Sequence, residues 1–130
     1  MINNAHLRIL VVDDEPDLRE SLTLRFENLG FDVVTAGDGR EACDIARAGY
    51  PDCIILDLDM PVLDGFGTLK RLRADAMTAD IPVIILTASS DTCDKLITRN
   101  YGVQGYAIKP YDHQRLAEQV YQACEESVTA

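Results

Sequence analysis

The chain has 130 residues, 47% hydrophobic and 26% charged, the size and balance of one soluble globular domain with a single core. Its net charge of -10 comes without any basic run, which argues against a nucleic-acid surface built from clustered Lys and Arg. No apolar stretch approaches the ~20 residues of a membrane span. Met1-Ile2-Asn3-Asn4-Ala5-His6 lacks the basic start and apolar middle of a signal peptide, so a cytoplasmic location is expected.

Strand and helix patterns alternate five times. Leu7 to Val12 is a short apolar run ending at Asp13-Asp14-Glu15. A helix begins at Pro16, a residue suited to the first helical position, with Leu18, Leu22, Phe26 and Leu29 as its stripe and Gly30 as its end. Asp32 to Ala36 is a second, less apolar strand. Asp38 with Glu41 three residues on forms a capping-box pattern for a helix carrying Ala42, Ile45 and Ala46, closed by Gly49-Tyr50-Pro51.

Cys53 to Leu56 runs into Asp57. The tight loop from Met60 to Gly65 follows, then a helix with Phe66, Leu69 and Leu72 inward. Pro82 to Leu86 runs into Thr87. A fourth helix is predicted from Ser90 or Asp91 to Gly102. Its Thr92, Cys93, Ile97 and Thr98 are weak helix formers, so it should be the most mobile helix. Tyr106 to Ile108 runs into Lys109-Pro110. Asp112 caps a last helix with Leu116, Val120 and Cys124 on one face, and 125–130 reads as a frayed tail, as does 1–6. Cys43, Cys53, Cys93 and Cys124 form no C-x-x-C pair and sit at no zinc spacing, so they read as reduced thiols used as small hydrophobes.

Five such units suggest a doubly wound parallel sheet, in which ligands bind outside the carboxyl ends of the strands. That rim would gather the carboxylates of Asp13, Asp14 and Asp57, the Thr87 hydroxyl and the Lys109 ammonium. Clustered carboxylates suit a hard cation; a hydroxyl and an ammonium suit an anion beside it. Taken alone, Asp13-Asp14 is equally well read as a cap of the first helix.

The acidic pair, Asp57 with Pro61 and Gly65 behind it, Thr87-Ala88, and Lys109-Pro110 preceded by Tyr106 together resemble the response regulator receiver domains of two-component signalling. The resemblance spans Leu7 to about Cys124. It implies a flavodoxin-like (βα)5 fold, one domain over 1–130, with strand order 2-1-3-4-5. It implies that Asp57 accepts a phosphoryl group from a histidine kinase or phosphotransfer protein, as a switch and not as a turnover enzyme. Mg²⁺, with Mn²⁺ as a substitute, would be held by Asp14 and Asp57, by Asp13 through water, and by the backbone carbonyl of Asp59. Lys109, Thr87 and the backbone N–H groups of Leu58 and Ala88 would stabilise the phosphoryl oxygens. Thr87 and Tyr106 would form a coupled switch.

The surface of the fourth helix, last strand and last helix would then control an output domain, a partner protein or a symmetric dimer. Lys95, Arg99, Gln104, Gln114 and Glu118 are its expected exposed readers. Asp59 is a departure, since many receivers carry an uncharged side chain there. Its side chain is expected to face solvent near the attacking water, where it would either orient that water and speed loss of the phosphoryl group or repel it; the sequence does not fix the sign, and the open site beside Ala88 and Ser89 favours faster loss. Asp57-Leu58-Asp59 also matches the D-x-D of haloacid-dehalogenase phosphatases, but Pro61 stands where that motif has Thr or Val. A flavodoxin-like nucleotide binder would need a Gly-rich phosphate loop, where this chain has Asp13-Asp14-Glu15-Pro16.

Overall fold

The computed structural model describes residues 7–60, 65–88 and 101–129, with side chains as far as 125. In chain order these residues form β1 (Arg8–Val12), α1 (Pro16–Asn28), β2 (Asp32–Ala36), α2 (Gly39–Gly49), β3 (Cys53–Asp57), α3 (Gly65–Ala74), β4 (Val83–Thr87), β5 (Gly105–Ile108) and α4 (His113–Thr129). All pairings are parallel and the order is β2-β1-β3-β4-β5, as the resemblance implies. The predicted fourth helix, with Thr92, Cys93, Lys95, Ile97, Thr98 and Arg99, lies outside the described residues, as do 61–64 and the 1–6 tail. Gly102, its expected end, has φ +65, a left-handed conformation open to glycine.

β3 and β4 are buried at every position, which is why they read as unbroken apolar runs. Alternation sends Ile9, Val11, Ile55 and Leu86 to one side, against Leu22 and Phe26 of α1 and Leu116 and Val120 of α4. It sends Leu10, Val12, Ile54 and Ile85 to the other, against Ala42 and Ala46 of α2 and Leu69 and Leu72 of α3. Each large side chain so buried contributes roughly 1.5–3 kcal/mol. No helix among the described residues is long and apolar enough to cross a membrane.

The helix ends follow the sequence signals, with a shift at one capping box. Asp38 accepts a hydrogen bond from Glu41 N–H at 2.9 Å, and Asp112 accepts one from Gln114 N–H at 2.9 Å. Glu41 returns its own bond to Gly37 N–H at 3.3 Å, one residue before the cap, which is a shifted capping box. Within the predicted Gly49-Tyr50-Pro51 stop, Tyr50 takes the left-handed position that closes α2, with φ 43. The backbone of α4 is helical as far as Thr129.

Cys53 and Cys124 are buried and Cys43 is half-buried, all free. Burial pushes all three thiols up, Cys124 to about 11, so they are protonated at neutral pH.

Candidate functional site

The sheet itself positions the polar residues at its carboxyl rim. Ladder bonds run past the strand ends: Asp13 N–H donates to Ala36 O at 3.2 Å, Leu58 N–H to Leu86 O at 2.9 Å and Lys109 N–H to Thr87 O at 2.8 Å. Asp57 ends β3 with its side chain 1% exposed, and its Oδ2 lies 3.1 Å from Lys109 Nζ. Burial alone would lower the Lys109 pKa; the hydrogen bond and charge of Asp57 more than reverse this, so it is raised. The Lys109-Pro110 peptide is cis.

Asp13, Asp14 and Asp57 offer carboxylate oxygens that all lie within 4.8 Å of one another. Asp13 is completely buried, Asp14 exposed. Neither caps α1, whose N-cap is Glu15 without a side-chain bond. Asp13 Oδ1 instead accepts from Glu15 N–H at 2.9 Å, and its Oδ2 is buried with no hydrogen-bond partner among the described residues. Burial raises its pKa to about 6; the Glu15 N–H opposes this and the Asp57 charge adds to it. A buried, orphaned carboxylate oxygen facing two further carboxylates is a donor set that fits a hard divalent cation.

Arg19 was not visible as a site residue in the sequence. From the first turn of α1, its guanidinium donates to the Asp13 carbonyl at 2.7 Å and lies 3.1 Å from where a Cβ at Gly37 would be. No motif marks it, because its partner is a backbone atom.

Asp59 N–H donates to Asp57 Oδ1 at 2.9 Å, so both acceptor oxygens of Asp57 are engaged. The Asp59 side chain does not simply face solvent as expected. It is 42% exposed, yet its Oδ2 accepts from Ala88 N–H at 2.8 Å and lies 4.0 Å from Lys109 Nζ. The buried Thr87 hydroxyl donates to its Oδ1 at 3.4 Å. The structure brings Thr87, Ala88 and Lys109 together, and Leu58 is the exception. Its N–H is consumed by Leu86 O in the ladder and is not offered to an anion.

Gly65, at the start of α3, packs against this strand end so closely that a Cβ there would fall on the backbone of Asp57 and Leu58. Tyr106 pairs with Ile85 across β4 and β5, two residues before the Thr87–Ile108 pair, so Tyr106 and Thr87 share a sheet face. Tyr106 is 37% exposed. Of the expected surface readers, Gln114 and Glu118 are exposed on α4. Gln104 is also exposed, but its side-chain oxygen accepts from Val83 N–H at 2.8 Å, which ties the start of β4 to the residue before β5. Lys95 and Arg99 lie outside the described residues.

The family model described as response regulator receiver domain matches residues 9–121. Among curated proteins, the probable transcriptional regulator ycf27 of Porphyra purpurea is 38% identical over 119 residues, covering 92% of this chain and 48% of that protein. The DNA-binding dual master transcriptional regulator RpaA of Synechocystis is 40% identical over 113 residues, covering 87% of this chain and 47% of that protein. The chain thus spans about half the length of the curated relatives it matches. Among solved structures, the chemotaxis protein CheY4 of Vibrio cholerae superposes with a TM-score of 0.85 at 30% identity, covering 91% of this chain and 98% of that one.

Proposed function

The chain belongs to the response regulator receiver domain family of two-component signalling, and on that premise we propose that Asp57 accepts a phosphoryl group from a sensor histidine kinase or phosphotransfer protein. One observation carries the reading: a carboxylate 1% exposed at a strand end, 3.1 Å from a lysine and clustered with two more carboxylates. A carboxylate attacks an anionic phosphoryl group poorly unless that charge is offset, so the protein's task is positioning and neutralisation.

Lys109 supplies one fixed positive charge beside Asp57. Thr87 and Ala88 supply a hydroxyl and a backbone N–H on the same side as Lys109. Asp13, Asp14, Asp57 and the Asp59 carbonyl would hold Mg²⁺, or Mn²⁺ in its place, which when bound supplies positive charge to the phosphoryl oxygens. The orphaned Asp13 Oδ2 supports that assignment.

Phosphorylation is read out through Thr87 and Tyr106 toward β5 and α4. The recipient is an output domain, a partner protein or a second copy of the chain. The relatives named as DNA-binding or transcriptional regulators are about twice as long. The residues here carry no basic run of the kind that neutralises phosphates, so this domain is not the one to contact DNA. A haloacid-dehalogenase role would need Asp59 free as a general acid, whereas its carboxylate is bonded to Ala88 and Thr87.

Incubation with acetyl phosphate and Mg²⁺, borohydride trapping and peptide mapping test the assignment. Label on Asp57, dependent on the divalent ion and lost in Asp57→Asn, is expected. Label on another residue, or undiminished labelling of Asp57→Asn, would overturn it.

A further inference from the structure

Three groups suited to a phosphoryl oxygen, the Ala88 N–H, the Thr87 hydroxyl and the Lys109 ammonium, converge on one anion that is already part of the chain. That anion is the Asp59 carboxylate, at 2.8 Å, 3.4 Å and 4.0 Å respectively. Its backbone is fixed by the N–H bond to Asp57 Oδ1 at 2.9 Å, so the side chain leaves the acceptor and folds across to Ala88. Like charges do not share such a place: a phosphoryl oxygen and a carboxylate oxygen on the same donors would repel at contact distance.

We propose that Asp59 is a built-in occupant of the phosphoryl-oxygen place, an autoinhibitory carboxylate that phosphorylation must expel into solvent. This rests on the reading of Asp57 as the acceptor. Transfer from acetyl phosphate forms the Asp57 O–P bond and breaks the donor P–O bond, and acetate departs with the electron pair. The Asp59 side chain rotates outward, and the Ala88 N–H, the Thr87 hydroxyl and Lys109 exchange one anion for another. Because Asp59 is half exposed, its departure requires only a side-chain rotation. The competition therefore sets affinity for the phosphorylated state without blocking access. The Thr87 hydroxyl bond to Asp59 Oδ1 also ties the switch hydroxyl to the occupant in the resting chain.

Two measurements test this. The first is beryllofluoride affinity at Mg²⁺ concentrations saturating for each variant. Asp59→Asn and Asp59→Ala should each bind about ten-fold tighter, the equivalent of one charge-assisted hydrogen bond no longer displaced. Glu15→Gln, which removes a nearby exposed charge that touches none of the three donors, should change affinity less than two-fold. Equal gains in Glu15→Gln and the Asp59 variants would reduce the effect to general charge repulsion and overturn the proposal.

The second measurement needs no phosphoryl analogue. The Ala88 amide proton of the wild type should resonate downfield, as for an N–H bonded to a carboxylate, and move upfield in Asp59→Ala. An Ala88 amide unchanged in Asp59→Ala would refute the contact. If Asp57 takes no phosphoryl group while the Ala88 amide does move, the reading of the acceptor fails and the Asp59 contact stands. If Asp57 is labelled normally and the Asp59 variants bind beryllofluoride as the wild type does, the acceptor stands and the autoinhibition falls.

Discussion

Lys109 Nζ and Asp57 Oδ2 form an ion pair of 3.1 Å in which the carboxylate is 1% and the lysine side chain 20% exposed. The lysine pKa is raised above its ordinary 10.5, so on the alkaline side the lysine's contribution is full at neutral pH and is lost as pH rises through the folded value. Lys109→Met leaves Asp57 buried beside Asp13 without its cation. Unfolding by urea in EDTA should show a loss of roughly 2–4 kcal/mol, the penalty of stripping one partner from a buried pair. Phosphorylation by acetyl phosphate should slow by about 10²-fold, as when one oxyanion donor is removed. Unchanged rates with unchanged stability would remove Lys109 from the site.

Asp13 predicts a stability that falls as pH rises. Its folded pKa of about 6 stands above the ordinary 3.8, so the fold binds that proton more tightly than the unfolded chain does. Its contribution is greatest below pH 3.8 and is lost progressively up to about 6, amounting to on the order of 2–3 kcal/mol. Asp13→Asn keeps the oxygen that accepts the Glu15 N–H and removes the charge. Without divalent ions the variant should therefore be more stable than the wild type at pH 7.5, and nearly equal to it at pH 4. Mg²⁺ should bind the wild type more tightly as pH rises through about 6, because the ligand must first lose a proton. A wild type and variant separated by the same amount at both pH values would contradict the assignment.

The sheet was legible because four of its strands are short apolar runs that each stop at a polar residue, and that rule puts Asp13, Asp57, Thr87 and Lys109 at one rim. What sequence could not reveal is how backbone groups are spent. Leu58 N–H was expected to face an anion and is instead held by Leu86 O. Arg19 enters the site through a carbonyl, which has no sequence signature. Asp59 stood out as a departure, but its direction depends on a rotamer chosen by Ala88 and Thr87 from a different strand end. Such contacts depend on tertiary placement across 28 and 29 residues of chain.

Gly65 allows α3 to approach the acceptor strand. A methyl group there would overlap the backbone of Asp57 and Leu58, which cannot move aside as a flexible side chain would. Gly65→Ala should destabilise the fold by about 3 kcal/mol or more and displace the turn that follows Asp57. Thermal melting and acetyl-phosphate kinetics report the two effects. A variant as stable and as reactive as the wild type would show that α3 starts elsewhere.

A phosphoryl group adds about two negative charges, and it biases the fold only through contacts that differ between the two states. Thr87 is the buried hydroxyl at the rim, and Tyr106 shares its sheet face on the neighbouring edge strand with a ring 37% exposed. If Thr87 moves toward the phosphoryl group, the space it vacates faces Tyr106, and inward rotation of the ring changes the surface formed by β5 and α4. With beryllofluoride and Mg²⁺, amide shifts should therefore change at Tyr106 and at Gln114 and Glu118 on α4, as well as around Asp57. Thr87→Ala should keep the shifts around Asp57 and lose those on α4. Tyr106→Ala should do the same, because the ring is the element that moves. Wild-type changes confined to the Asp57 rim, with α4 silent, would refute a switch through Thr87 and Tyr106.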